Sequence, residues 1–343
     1  MRTNVRPGIF DTVLTPFALI VSSLLMTALS VRASDVVKTW IEWQLEANAL
    51  IDAGNYEAAT KALRNALETV QAHGSPQHQA IVYNSLGSVY SQRGQYVEAE
   101  ANFRSALDIE KSRLGAASLE YALVFASIAL LPTHAVDADR EQAIEVLKTA
   151  IARHKGKASP TGITIAQDYL IKLLYSGARF AEAQEILSDW KDTFANLNPR
   201  PDPFMQAELL NDEGVLQDEL GHKEQALKLD EEAINMLEAA LGTEHPSLVV
   251  PLNNLATIYA KLNRYDDSQR VFLRADAVCI KTLGANHPAR ATLLANYAVV
   301  LREMGHKKES KKINAEAQEI AQSSNRRNGV GSTISVSALR ASR

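Results

Sequence analysis

Gly54-Asn-Tyr56-Glu-Ala-Ala59, Gly94-Gln-Tyr96-Val-Glu-Ala99 and Asn263-Arg-Tyr265-Asp-Asp-Ser268 are variants of one six-residue phrase. Ala178-Arg-Phe180-Ala-Glu-Ala183, Gly221-His-Lys-Glu-Gln-Ala226 and Gly305-His-Lys-Lys-Glu-Ser310 are further copies, and Ala138-Asp-Arg-Glu-Gln-Ala143 is a weaker one. The small residue closing each copy falls at 59, 99, 143, 183, 226, 268 and 310, in steps of 40, 44, 40, 43, 42 and 42. Even spacing over seven copies marks an array of stacked supersecondary units.

Each part of the phrase has a physical task. Gly or Asn ends a helix because it tolerates the positive φ of a C-terminal cap. The aromatic two residues later plugs the turn, and the small residue opens a second helix where two backbones come close. Four and seven residues beyond it stand Leu63 and Ala66, Phe103 and Ala106, Leu147 and Ala150, Leu187 and Trp190, Phe272 and Ala275. That spacing lays them on one face of an amphipathic helix. Upstream, Leu86-Gly87 with Tyr90, and Leu255-Ala256 with Tyr259, give the first helix its own apolar stripe, and Trp43 supplies the large anchor of the first copy.

These residues resemble the tetratricopeptide repeat family, whose large–Leu–Gly–Tyr first helix and Ala–Phe–Ala second helix are met best by repeats 2 and 6. The period is near 42, and Leu241-Gly-Thr-Glu-His245-Pro246 recurs as Leu283-Gly-Ala-Asn-His287-Pro288, followed in repeat 6 by Leu252-Asn253-Asn254-Leu255-Ala256. This is similar to the kinesin-light-chain-type subclass. Proline in the first turn of a helix costs no hydrogen bond, so each His-Pro marks the start of a first helix. The resemblance implies an all-α fold, a right-handed superhelix (α-solenoid) of about seven helix–turn–helix repeats, with fourteen helices turning near 54, 94, 137, 177, 221, 263 and 305.

Departures from the pattern divide the chain. Leu131-Pro132-Thr133-His134 shortens or breaks the first helix of repeat 3, and Asp230 occupies the aromatic position of repeat 5. Pro251 implies that the first helix of repeat 6 starts there or bends. Asn198-Pro199-Arg200-Pro201-Asp202-Pro203 is expected to be non-helical. The reading is therefore repeats 1–4 over residues 37–197, a Pro-rich linker over 198–204, repeats 5–7 over 205–322, and a flexible basic tail over 323–343.

Composition agrees with helix and excludes wholesale disorder, with 46% hydrophobic and 22% charged residues and only eight Phe. Arg2, Arg6 and Arg32 against Asp11 leave the first 33 residues positive, and the last 21 carry four Arg and no acid. The net charge of −4 therefore conceals −10 on residues 34–322. An acidic body argues against nucleic acid, whose binding relies on neutralising phosphates.

At the N-terminus, Arg2 and Arg6 precede an uncharged, mostly apolar run from Val13 to Val31, and Val31-Arg32-Ala33 presents small or apolar residues at the positions a signal peptidase inspects. This layout predicts a bacterial-style signal peptide over residues 1–33, cleaved after Ala33. The alternative is an uncleaved inner-membrane anchor, because nineteen residues just span a bilayer. Ser22, Ser23, Thr27 and Ser30 lower its hydrophobicity and favour cleavage. Either way the repeats are expected outside the cytoplasm, periplasmic or secreted, touching a membrane only through this segment.

No H-E-x-x-H, Gly-rich phosphate loop or G-x-S-x-G occurs, so no catalytic, metal or cofactor residues are assigned and no enzyme is expected. Ser188-Asp189-Trp190-Lys191 matches S-x-x-K only by chance, and the single cysteine, Cys279, reads as a buried small hydrophobe. The resemblance implies instead a groove, lined by first helices, that holds a peptide or partner protein. Its candidate residues are Asn254 and Asn296, one repeat apart, with Asn84 and Asn211 a residue earlier in their repeats, and Lys261 and Arg302 for an acidic ligand. The two Asn are expected to be exposed, offering amides to a bound backbone. A homo-oligomer is the alternative use of exposed end repeats.

Overall fold

The computed structural model describes residues 38–134, 137–155, 160–195 and 203–328. The expected signal segment, most of the expected linker and the end of the expected tail lie outside these residues. Fourteen α-helices and no strand occur among the described residues, in two compact units that divide at residue 202.

In the first unit, first helices α1 (Trp40–Asp52), α3 (Pro76–Gln92), α5 (Leu119–Ala129) and α7 (Pro160–Ser176) alternate with second helices α2 (Tyr56–His73), α4 (Tyr96–Leu114), α6 (Asp137–His154) and α8 (Phe180–Ala195). In the second unit, α9 (Pro203–Glu219), α11 (Val249–Lys261) and α13 (Pro288–Glu303) alternate with α10 (Lys223–Leu241), α12 (Tyr265–Thr282) and α14 (Lys307–Arg327). Within each unit, each helix packs on the next in the chain, and first helices also touch across repeats, α5 on α7, α9 on α11 and α11 on α13.

One turn geometry is used six times. Gly54, Gly94, Ala178, Gly221, Asn263 and Gly305 all have positive φ. The amide after each reaches five residues back, as in Asn55 N to Leu50 O at 2.8 Å and His306 N to Leu301 O at 2.8 Å. This bond satisfies a carbonyl that the helix end leaves bare. The third turn falls on residues 135 and 136, outside the described residues. Starts are equally local: Asn55 Oδ1 accepts from Ala58 N at 3.2 Å, and Ser118 Oγ from Tyr121 N at 3.2 Å. His245 and His287 cap through Nδ1, accepting from Ser247 N and Ala289 N, each at 3.2 Å.

The expected core positions are buried: Leu63, Phe103, Leu147 and Phe272 are fully enclosed, and Tyr56 and Tyr96 plug their turns. A Cβ on Gly87 would lie 2.5 Å from the Phe103 ring, so only glycine fits there. Ser268 Oγ donates to Ala256 O at 2.7 Å and Ser310 Oγ to Ala298 O at 2.6 Å, showing how closely each second helix begins against its first.

Boundaries differ from the sequence reading in three places. Pro203 and Phe204, expected in the linker, begin α9, because proline fits the first turn. A 3-10 turn at Pro246–Leu248 leads into α11 at Val249, so Pro251 lies inside the first turn and does not start the helix. The last helix continues to Arg327, past the expected tail boundary, because Ile320, Ser324 and Asn328 are buried and Asn328 Nδ2 donates to Ser324 O at 3.0 Å. The break in repeat 3 is as expected, with α5 ending at Ala129 before a 3-10 turn at Pro132–His134.

Candidate functional site

The first helices present polar side chains at one recurring register. Gln44, Asn84, Asp168, Asn211 and Asn253 each stand ten residues before the turn residues Gly54, Gly94, Ala178, Gly221 and Asn263. Within each unit, first helices of consecutive repeats meet side by side, so this position of one repeat faces the following position of the next. Gln44 Nε2 donates to Ser85 Oγ at 3.1 Å, Asn254 Nδ2 to Asn211 Oδ1 at 3.2 Å, and Asn296 Nδ2 to Asn253 Oδ1 at 3.0 Å. Each bond spans one repeat. In the first unit, Ser127 and Tyr169 make the equivalent link, and the phenol of the enclosed Tyr169 is pushed up to about 12, chiefly by burial.

This arrangement corrects the exposure expected of the groove residues. Asn84, Asn211, Asn254 and Asn296 are 2%, 4%, 3% and 8% exposed. In the second unit neighbouring first helices approach closely enough for their amides to bond to one another, which removes them from solvent, whereas Asn84 is buried with its Oδ1 unmet. Lys261 is also engaged, donating from Nζ to Asp218 Oδ2 at 2.5 Å, with the Asp218 side chain almost fully buried. Arg302 alone of the six stands exposed, its nearest acid being Glu303 at 3.9 Å. The structure thus brings Asn211 to Asn254, and Asn296 to Asn253, without gathering all six residues at one point.

Sequence reasoning missed Gln44, Asn253 and Asp218, which complete these pairs. Counting ten residues back from each turn would have found the first two. It also missed Asp168, whose Oδ2 accepts from Lys172 Nζ at 3.0 Å in a buried pair on α7.

Hydrogen-bonding capacity remains unused in this layer. Gln44 Oε1, Asn84 Oδ1, Gln167 Oε1 and Asn253 Nδ2 are buried without a partner. A buried polar group left unmet costs about 1–3 kcal/mol. The acceptors lie in the first unit and the donor in the second, and each is a group that a peptide backbone can pair with. No cluster of three or more His, Cys, Asp or Glu able to hold a metal occurs among the described residues, and Cys279 is fully buried.

A family model described as tetratricopeptide repeat matches residues 41–112, 206–275 and 247–323, together more than half of the chain. No curated protein sequence matches it. Among solved structures, a Rap protein complexed with competence and sporulation factor has a TM-score of 0.60 at 11% identity, covering 84% of this chain and 86% of that one. NprR in complex with its cognate peptide NprX has a TM-score of 0.57 at 13% identity, covering 91% and 90%. The kinesin-light-chain TPR-like repeats of Podosopora anserina have a TM-score of 0.46 at 18% identity, covering 63% and 98%. At these identities the likeness is one of fold.

Proposed function

The chain belongs to the tetratricopeptide repeat family, and on that premise we propose that it is an exported, non-enzymatic scaffold. Its ligand is an extended peptide, or such a segment of a partner protein, held against the first-helix layer. The observation that carries this reading is the unmet amide groups on first helices, at Gln44 and Asn84 in one unit and at Asn253 in the other, which a peptide backbone complements without demanding a particular sequence. Two proteins sharing the fold over most of their length are described with a bound factor or peptide, which supports it. The layout of Arg2, Arg6 and the run to Ala33 supports work outside the cytoplasm, with the uncleaved anchor as the alternative.

The test is to pan the intact chain against a displayed peptide library and measure the enriched peptides on Asn84→Leu and Asn253→Leu. Asn84→Leu removes an unmet oxygen, and Asn253→Leu removes an unmet Nδ2 together with the bond that Asn253 Oδ1 accepts from Asn296. Affinity is expected to fall by about tenfold to a hundredfold, the equivalent of roughly 1–3 kcal/mol. Unchanged affinity for both variants would remove the first-helix layer as the binding surface.

A further inference from the structure

The second helices of the unit over residues 203–328 show an ordered change of charge. α10 carries two lysines against five acids, α12 three basic residues against three acids, and α14 six basic residues against three acids. With the fully buried Asp230 set aside, their net charges are −2, 0 and +3 in chain order. The middle helix exposes an apolar stripe of Leu273, Ala277 and Ile280, with Leu273 53% and Ile280 42% exposed. A face that runs acidic, apolar, basic is its own complement under a two-fold rotation.

Steps of 42 residues, the spacing of the last repeats, put Glu224 in register with Lys308, two repeats on. Glu224 and Glu232 on α10, and Lys308 and Lys312 on α14, are exposed and have no ion-pair partner among the described residues. The lysines lie where an isolated helix disfavours them. Lys307 and Lys308 occupy the first turn, against the positive end of the helix dipole, and Lys307 with Lys311, like Lys308 with Lys312, repel at i, i+4. Negative charge from outside the chain reverses that penalty.

We propose that this face is the interface of a two-fold homodimer. The axis runs parallel to α12, so that α12 packs on its own copy and α10 of each protomer lies along α14 of the other. In this arrangement the paired helices run parallel, and the N-terminal ends of α10 and α14 meet, Glu224 and Glu232 opposite Lys308 and Lys312. A second copy is the occupant because one surface supplies both halves of the charge complement and the apolar centre matches itself. Three helices of 18 to 21 residues, each about 10 Å across, present roughly 800 Å² per copy, the size of a standard stable interface. The first-helix layer stays free for the ligand proposed above, so the dimer does not depend on that reading.

The intact chain is tested by disulfide trapping and by sedimentation. Ala277→Cys lies on the axis and is expected to form a disulfide-linked dimer under mild oxidation, whereas Ala239→Cys on α10, away from its own copy, is not. Native Cys279 is buried and does not compete. Lys308→Glu with Lys312→Glu is expected to raise the dimer dissociation constant about tenfold or more, as is Glu224→Lys with Glu232→Lys. The four changes together restore the dimer, because the swapped charges again face each other. A chain that sediments as a monomer at every concentration overturns the proposal. So does a dimer in which Ala277→Cys fails to crosslink, or a four-residue swap that stays dissociated. If the lysine variants lose an acidic protein partner while the mass never changes, the surface serves that partner and the homodimer is withdrawn.

Discussion

Replacing Asp230 by Phe addresses the least favourable side chain in the described core. Asp230 is fully buried on α10, and neither carboxylate oxygen has a hydrogen-bond partner. Its Oδ1 lies 2.4 Å from where a Cβ on Gly214 would stand, so the carboxyl rests directly on the glycine of α9. Gly214 and Asp230 stand sixteen residues apart, as do Gly87 and Phe103, and Ala256 and Phe272. The backbone is therefore already arranged for an aromatic ring. Removing an unmet buried polar group recovers about 1–3 kcal/mol, and burying a ring adds about 1.5–3 kcal/mol, less the strain of repacking. A net gain of roughly 3 kcal/mol is expected, raising the thermal midpoint of this unit on the order of 10 °C.

The same residue sets a pH dependence. Burial, then the nearby Asp218 and Glu231, raise the Asp230 carboxyl well above its ordinary value. The native state therefore holds this proton more tightly than the unfolded chain, where the pKa is about 4. The contribution of Asp230 to stability is complete below that value and declines as pH rises toward the raised native value. Urea unfolding of wild type and Asp230→Phe over roughly pH 5 to 8 measures the difference, in which the titration of other groups cancels. The advantage of the variant is expected to grow with pH. A lower midpoint for Asp230→Phe, or a difference that shrinks as pH rises, would refute the reasoning.

Other outcomes follow from the same packing. Asn254→Ala with Asn296→Ala is expected to lower stability by about 2–4 kcal/mol, because it leaves Asn211 and Asn253 buried and unmet, and a midpoint equal to wild type would show these bonds to be dispensable. Phe272→Ala is expected to cost roughly 3–5 kcal/mol by opening a cavity beside Tyr297, measured by the same unfolding curves. His287→Ala should cost about 1 kcal/mol through loss of the cap on α13. Fusing residues 1–40 to a reporter active only outside the cytoplasm should give activity that disappears on deleting residues 13–31, and N-terminal sequencing distinguishes cleavage before Ser34 from an anchor.

The amino-acid sequence by itself determined the repeat, its phase and its punctuation. Gly54, Gly94, Gly221 and Gly305 allow positive φ, His245 and His287 cap the helices that follow them, and the Leu, Phe and Ala spacings choose the buried face. All of these act within a few residues along the chain, where helical periodicity alone decides which side chains share a face. Only the tertiary structure decided which polar residues of the first helices remain in solvent. The spacing of Asn254 and Asn296 placed both correctly on first helices, yet Asn211 and Asn253, on neighbouring helices, draw them inside. Lys261 is likewise committed by Asp218, forty-three residues away, which no local pattern announces. Helical period defines direction around one axis, whereas burial depends on the distance between axes, which is set by the small residues at the crossing and appears only when consecutive repeats are stacked.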